Sequence, residues 1–152
     1  MSTHHRVVRD NVHRDITLTP DISRLVDTAT FQRLRDVKQL ATCHYVFPTA
    51  THSRFVHSLG AQHLAGVLLE HLEVVHPGRI SPEDATLVRY AALLHDIGHP
   101  PFSHALESAD VYATYHHHED WGARILSEPD NDLRIALIDL VGEDGLQRLF
   151  EI

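Results

Sequence analysis

The stretch SPEDATLVRYAALLHDIGHPPFSH, residues 81–104, decides the fold. Its first residues are a helix start: Ser81 is a good N-cap, Pro82 suits the first helical position, and two acids follow in the first turn. The predicted helix from Ala85 to about Ile97 is apolar nearly all round, which is typical of a buried central helix. Gly98 and a proline pair end it. We therefore predict that this helix lies in the middle of a helical core.

Similar patterns predict helices on both sides of it. A long helix from about Ser53 to Val75 has apolar residues at steps of three and four, and Pro77-Gly78 ends it. The other predicted elements are a short hairpin within Arg6–Thr17, a helix from Pro20, one capped by Thr28 or Thr30, and helices from Ser103, over Glu119–Leu126, over Asp132–Val141 and over Glu143–Phe150. The predicted fold class is all-α, with room for one short N-terminal β-hairpin.

Composition narrows the class of protein. The 152 residues, 43% of them hydrophobic, suit a single globular domain. A formal net charge of -8 disfavours nucleic-acid binding. A lone cysteine, Cys43, excludes an internal disulfide, and its most ordinary role is that of a small core residue. No apolar run approaches the ~20 residues that span a bilayer, so we expect a cytoplasmic protein without a membrane partner.

Histidine is unusually abundant, at 15 residues, and one pair of neighbours is placed for chemistry. His95 and Asp96 end the buried helix, where an ionised carboxylate is costly unless it is paired or bound to a cation. Adjacent helical side chains point about 100° apart, so both can face one ion only at a helix end or where the backbone bends. On this dipeptide alone, a simple helix-capping pair remains an alternative. His57, near the start of the preceding antiparallel helix, can lie level with them and complete an N,N,O set for Fe, Mn, Ni or Zn.

Three separated motifs make the sequence familiar. They are FQRLRDVKQL at residues 31–40, RFVHSLG at residues 54–60 and ALLHDIGHPPFSH at residues 92–104. Together they resemble the HD superfamily, and within it the deoxynucleoside triphosphate (dNTP) triphosphohydrolases, over about residues 8–126. This resemblance implies hydrolysis of a dNTP to deoxynucleoside and triphosphate, one bound divalent transition metal, Mg²⁺ with the nucleotide, and a homo-oligomer.

The resemblance also implies roles for individual residues. The metal ligands would be His57, His95 and Asp96. The substrate would be held by Gln39 and Leu40 at the sugar and by Arg54 and His99 at the phosphates. The catalytic residues would be His104 with its carboxylate partner Glu107, and His118. In some relatives, the positions of Asp27 and Arg35 bind an activating nucleotide.

The residues themselves support part of this set. A histidine oriented by a carboxylate three positions later, as in His104 and Glu107, suits transfer of a proton to the departing oxygen. Arg33 and Lys38, by contrast, are predicted to lie on a solvated helix face.

The resemblance to the family does not extend to its fourth metal ligand. The family's fourth metal ligand is a later aspartate, and none of the aspartates from Asp130 onward has the required flanking pattern; Asp139 alone has an apolar context. We therefore expect a single HD domain over residues 1–152 that lacks the C-terminal part of the family. Two other functions stay open: another HD nucleotide phosphohydrolase or phosphodiesterase, and a nucleotide-binding or assembly module with impaired catalysis.

Overall fold

The structure is a computed structural model that describes residues 5–102 and 117–152. Its regular elements in chain order are strands β1 (Arg6–Asp10) and β2 (Arg14–Leu18) and helices α1 (Pro20–Val26), α2 (Ala29–Gln32), α3 (Arg54–Val75), α4 (Pro82–Leu94), α5 (His118–Ser127) and α6 (Asp132–Leu149). Short 3₁₀ helices occupy Arg33–Arg35 and Cys43–Tyr45. The predicted all-α class, with its N-terminal hairpin, is confirmed.

The hairpin covers one end of the helical core. Its two strands pair antiparallel, and the Asp10 carboxylate accepts hydrogen bonds from the backbone N–H groups of Val12 and His13 in the turn. Strand β2 alternates in the usual period of two, so that Ile16 and Leu18 are buried while their neighbours face outward. The hairpin is therefore attached through one apolar face.

Helix α4 is central, as its sequence predicted. The Ser81 side chain accepts a hydrogen bond from the Asp84 N–H at 3.0 Å and so caps its first turn. Leu87, Leu93 and further apolar residues along α4 are buried against the neighbouring helices. The helix ends at Leu94, three residues before the predicted end, because the backbone then tightens into i→i+3 hydrogen bonds.

Helix α6 closes the core on the other side. Asn131 caps its N-terminus by accepting from the N–H groups of Leu133 and Arg134. Gly142 interrupts it with a φ of 71°, which explains why the sequence predicted two shorter helices here. The core that these elements enclose consists mainly of Ile16, Leu18, Ile22, Leu25, Phe31, Leu34, Phe55, Leu59, Leu87, Leu93, Ile97, Leu133, Leu137 and Leu146.

The surface includes one residue that we expected in the core and one apolar helix face. Cys43 is exposed in a 3₁₀ helix and is not the small core residue that we predicted. The apolar positions Leu64, Val67, Leu68 and Val75 of α3 are also about half exposed, because the buried residues of this helix belong to its first nine, from Arg54 to Gln62. We call those four residues the α3 outer face. Across residues 5–102 and 117–152, no helix has the length and apolar character needed to cross a bilayer.

Candidate metal centre

A short backbone ladder positions the start of α3. Arg54 N donates to Val37 O at 2.8 Å, and Gln39 N donates to His52 O at 3.1 Å. These bonds fix the segment before α3 beside its first turn. That turn carries both Arg54 and His57 toward the end of α4.

The end of α4 provides the other two candidate ligands. Because the helix stops at Leu94, Ile97 N donates to Leu94 O at 2.8 Å and His99 N donates to Asp96 O at 3.1 Å. This tighter winding lets His95 and Asp96 face the same point, which a regular helix would not allow. The HD pair therefore lies at a helix end, which is where we predicted that both side chains could face one ion.

The three predicted ligands come together. His57 Nε2 lies 3.1 Å from His95 Nε2, Asp96 Oδ2 lies 3.7 Å from His57 Nε2, and Asp96 Oδ1 lies 3.4 Å from His95 Nε2. Ligand atoms about 2.1 Å from one ion are separated by roughly 3.0–3.4 Å in octahedral or tetrahedral geometry. The separations of His95 Nε2 from His57 Nε2 and from Asp96 Oδ1 lie within this range, whereas the 3.7 Å between His57 Nε2 and Asp96 Oδ2 exceeds it. The three groups are close enough to one another to hold one ion, and two nitrogens with one carboxylate oxygen suit Fe, Mn, Ni or Zn.

Hydrogen bonding prepares His95 for this role. Its Nδ1 lies 2.9 Å from Ala92 O, so Nδ1 carries the proton and donates, which leaves the Nε2 lone pair for a metal. Burial is the main cause that lowers the pKa of His57. The Asp96 carboxylate opposes it, but the charges of His95 and Arg54 act in the same direction as burial, and the net pKa is lowered. A lowered pKa keeps this imidazole neutral near pH 7, as coordination requires.

Asp96 is the buried centre of the site. Its side chain is 6% exposed, and the 2% exposed Arg54 donates from Nη1 to Asp96 Oδ2 at 2.6 Å. Burial alone would raise the pKa of Asp96, but hydrogen bonding from His99 and the nearby charges of His95 and Arg54 outweigh it. The pKa therefore lies well below its usual range. Asp96 is thus ionised at neutral pH.

The solvent side of the trio is open. The side chains of His57 and His95 are 41% and 40% exposed, whereas Asp96 is buried beneath them. An ion held by these three residues would keep coordination positions for water or substrate, as hydrolytic metal sites do.

A stacked histidine pair lies on the other side of Asp96. His99 is buried, with Nε2 3.3 Å from Asp96 Oδ1, and its ring stacks on His118 at a centroid distance of 3.8 Å and an angle of 13°. Two parallel, stacked rings cannot both direct their in-plane lone pairs at one ion. This pair is therefore better suited to donating hydrogen bonds than to holding a second metal.

The backbone at Gly98 makes that stack possible. A Cβ placed on Gly98 would lie 1.9 Å from His118 O and 2.4 Å from Gly122 N. Only glycine lets α5 approach the turn so closely, and this approach puts His118 over His99.

The remaining predicted residues are distributed as follows. Gln39 Nε2 lies 3.4 Å from Asp96 Oδ2, and Leu40 beside it is exposed. Asp27 accepts two hydrogen bonds from Arg6, both at 2.6 Å, and Arg35 lies 3.7 Å over the Phe55 ring. His104 and Glu107 lie outside the described residues.

The prediction for Arg33 is wrong. Lys38 is exposed as expected, but Arg33 is half buried and does not face solvent. It donates from Nη1 to His99 O at 3.1 Å and from Nη2 to Ile97 O. The helical face that we inferred for Arg33 does not extend that far, because α2 ends at Gln32 and a 3₁₀ helix follows. No signal in the sequence pointed to these carbonyl partners.

Two of the late aspartates, Asp132 and Asp139, make other contacts. Asp139 pairs with Arg24, and Asp132 accepts from the N–H of Ala29 and from the Thr30 hydroxyl, both at 2.5 Å. Neither belongs to the group formed by His57, His95 and Asp96.

Comparison with known proteins identifies the family of this chain. Residues 54–145, more than half of the chain, match the family described as HD domain, and the match contains all three candidate ligands. The chain belongs to the HD-domain family. Members of this family bind a divalent metal. Among the described residues, two groups bring ligand atoms close enough to hold one: His57, His95 and Asp96, and Asp96 with the stacked His99 and His118. The first of these groups contains the HD pair and has the more suitable ring orientations.

Several relatives of this HD domain are dNTP triphosphohydrolases by name. The "Deoxynucleoside triphosphate triphosphohydrolase SAMHD1 homolog" of Dictyostelium discoideum is 42% identical over 80% of this chain, and human "Deoxynucleoside triphosphate triphosphohydrolase SAMHD1" is 48% identical over 67%. An uncharacterized protein of Methanocaldococcus jannaschii, MJ1154, is 44% identical over 67%. The matched parts are 24%, 16% and 21% of those proteins, so the HD domain here spans about a quarter of their length or less. The resemblance to the dNTP triphosphohydrolase branch is confirmed.

Proposed function

We propose that this HD domain hydrolyses deoxynucleoside triphosphates to a deoxynucleoside and triphosphate. The observation that carries the proposal is the open set of His57, His95 and Asp96, with its ionised carboxylate held by a buried arginine. The names of the relatives supply the substrate class. In the reaction, a water oxygen bonds to the α-phosphorus, the bond from phosphorus to the 5′-oxygen breaks, and that oxygen takes a proton.

The metal site is the first part of the proposal. His57, His95 and Asp96 would hold one divalent transition metal, which when bound supplies Lewis acidity and lowers the pKa of water at neutral pH. Arg54 keeps Asp96 oriented and charged through the 2.6 Å hydrogen bond. The bond from His95 Nδ1 to Ala92 O keeps the ring in the tautomer that leaves Nε2 available.

Substrate contacts are the second part. The stacked His99 and His118 rings offer N–H groups beside Asp96, where an α-phosphate oxygen would need a donor. Gln39, within 3.4 Å of the same carboxylate, is close enough to the site to bind the sugar, together with the exposed Leu40. The phosphate contact of Arg54 rests on the family resemblance, and so does Mg²⁺ bound with the nucleotide.

Proton transfer is the third part. We assign the proton that reaches the 5′-oxygen to His104, oriented by Glu107, on the resemblance and on their spacing of three residues. His118 would assist at the reaction centre, on the same resemblance. Proton transfer by these residues is what separates hydrolysis from nucleotide binding alone. A pocket without a proton donor would bind the nucleotide and leave it intact.

Assembly and activation belong to the proposal as well. We propose that copies of the chain associate through the α3 outer face, since four half-exposed apolar residues on one helix favour a protein partner. An activating nucleotide at Asp27 and Arg35 would have to displace the Arg6 side chain from the Asp27 carboxylate. It would also have to compete with the packing of Arg35 on Phe55.

The first experiment is metal analysis of the purified chain, paired with a triphosphate-release assay on the four dNTPs with added Mn²⁺. Bound metal and stoichiometric triphosphate support the proposal, and Asp96→Ala should abolish both. A panel with nucleoside monophosphates and phosphodiesters tests the alternative HD activities, because only the proposed reaction releases intact triphosphate. Tight dNTP binding without any product over hours would instead make the chain a binding module.

A further inference from the structure

The turn after α4 needs an external support. Helix α4 stops at Leu94, and the next five residues include His95, Asp96 and His99. Beyond Leu94 the backbone leaves the α-helical hydrogen-bonding pattern, so the carbonyls of Ile97 and His99 need donors from elsewhere in the chain. The direction of each side chain in this turn depends on where those carbonyls are held.

Arg33 supplies that support from a different part of the chain. Its guanidinium donates to two of the carbonyls at once, from Nη1 to His99 O at 3.1 Å and from Nη2 to Ile97 O. The planar fork of arginine matches two acceptors in a fixed geometry, which lysine cannot do. Arg33 is also half buried, so these hydrogen bonds compete less with water.

Helix α5 contacts the same turn from another direction. Gly98 lies between the two carbonyls that Arg33 binds. It has room for no side chain, because a Cβ there would overlap His118 O and Gly122 N. The turn is therefore held by a guanidinium on its carbonyls and by the backbone of α5 at Gly98. Loss of the guanidinium frees the residues on either side of Gly98.

We infer that Arg33 is a positioning residue of the metal centre, which orients Asp96 and His99 by binding the carbonyls of Ile97 and His99. It touches neither metal nor substrate in this role. The inference rests on the metal site of the proposed function, and it is independent of which nucleotide is hydrolysed. Outer contacts that orient metal ligands typically change metal affinity about 10- to 100-fold when they are removed.

The test compares Arg33→Ala with Arg134→Ala. Arg134 is a matched control, since it is also half buried and donates from Nη1 to a helix-end carbonyl, Leu126 O, at 3.0 Å. Co²⁺ serves as the probe, because its visible absorption reports both affinity and coordination geometry. Denaturant unfolding of the metal-free proteins measures stability separately.

We expect both variants to lose stability but only Arg33→Ala to weaken Co²⁺ binding, by about tenfold or more, and to change the absorption bands. Millimolar methylguanidinium should restore the bands of Arg33→Ala, and Arg33→Lys should recover only part of the affinity. If Arg33→Ala does not fold, the Lys variant carries the same comparison. Wild-type affinity and bands in a folded Arg33 variant would overturn the inference, whereas a wild-type chain that binds no Co²⁺ would overturn the metal centre itself.

Discussion

Arg54 and Asp96 form an ion pair that is almost completely removed from solvent, with Nη1 2.6 Å from Oδ2. The pair joins the first turn of α3 to the end of α4. Its carboxylate also lies within 4 Å of three imidazoles. One side chain thus serves the packing of two helices and the candidate metal site.

Substitution of either partner should therefore be costly to the fold as well as to the site. Asp96→Asn removes the charge, and we expect it to lose bound metal and about 3–5 kcal/mol of the free energy of unfolding, because Arg54 then stays buried without its counter-charge. The double variant Asp96→Asn with Arg54→Met should recover much of that stability and none of the metal. Denaturant unfolding and metal analysis check this, and additive losses in the double variant would contradict it.

Metal binding should depend on pH in one direction. Burial lowers the pKa of His57 below the ordinary value of 6.5, so the folded chain takes up a proton there less readily than the unfolded chain. Stability and metal affinity are then at their full value above about pH 6.5, and both fall as the pH drops through the lowered pKa. Co²⁺ titrations between pH 5.5 and 8 measure this. A Co²⁺ affinity that rises as the pH falls would contradict this prediction.

Two glycines provide a matched pair of substitutions. At Gly98, a Cβ would meet backbone atoms of α5 at 1.9 and 2.4 Å, and we expect Gly98→Ala to separate α5 from the turn and to lower the melting temperature sharply. At Gly122 the nearest atom to a new Cβ is Ile97 Cγ2 at 3.5 Å, an ordinary contact. Gly122→Ala should be neutral, or stabilise by up to about 1 kcal/mol through helix propensity. Thermal denaturation of both variants tests this. Equal changes in the melting temperature would mean that α5 lies further from the turn than described.

Asp132 should stabilise the fold in a pH-dependent way. Burial raises its pKa, but hydrogen bonds from Thr30 and Ala29 outweigh this, and the net pKa is lowered. Its contribution is therefore present above about pH 3.8 and is lost as the pH falls through the lowered value. We expect Asp132→Ala to cost about 1–2 kcal/mol at pH 7 and less near pH 3. Urea unfolding at both pH values is the measurement, with Asp130→Ala as control. A constant difference would show that the charge of Asp132 is irrelevant.

Self-association through the α3 outer face gives a further prediction. Leu68→Glu places a charge in the middle of that face, and it should shift the chain toward monomer in sedimentation-velocity experiments because charges at an interface core are costly to desolvate. Val12→Glu, in the exposed hairpin turn, adds the same charge elsewhere and should leave the distribution unchanged. A wild-type chain that sediments as a monomer at all concentrations would end the proposal.

Local signals predicted the elements of this fold well. Caps such as Ser81 and breakers such as Gly98 act within a few residues of where they stand, so the sequence alone could locate α4 and its surroundings. The meeting of His57 with His95 and Asp96 could also be predicted, because two antiparallel helices joined by a short turn leave few registers open. The structure confirms that these three side chains converge.

Longer-range contacts could not be predicted in this way. The partner of Arg33 is a pair of backbone carbonyls more than 60 residues away, and nothing in the identity of Ile97 or His99 reveals that their carbonyls need a donor. Periodicity likewise identified the α3 outer face as apolar but could not say whether anything covers it. Arg54 was expected at a phosphate, and its buried bond to Asp96 depends on how two helices cross.

The ion pair between Arg54 and Asp96 also constrains how this chain can evolve. A lineage that no longer needs the metal would gain nothing by losing Asp96 alone, because the intermediate would carry a buried, unmatched guanidinium. Replacement of both residues by apolar ones is tolerable, yet it requires two simultaneous changes. We therefore expect relatives that have lost the metal to fall into two groups. Some keep the HD dipeptide because the fold needs the ion pair, and the others have replaced Arg54 and Asp96 together.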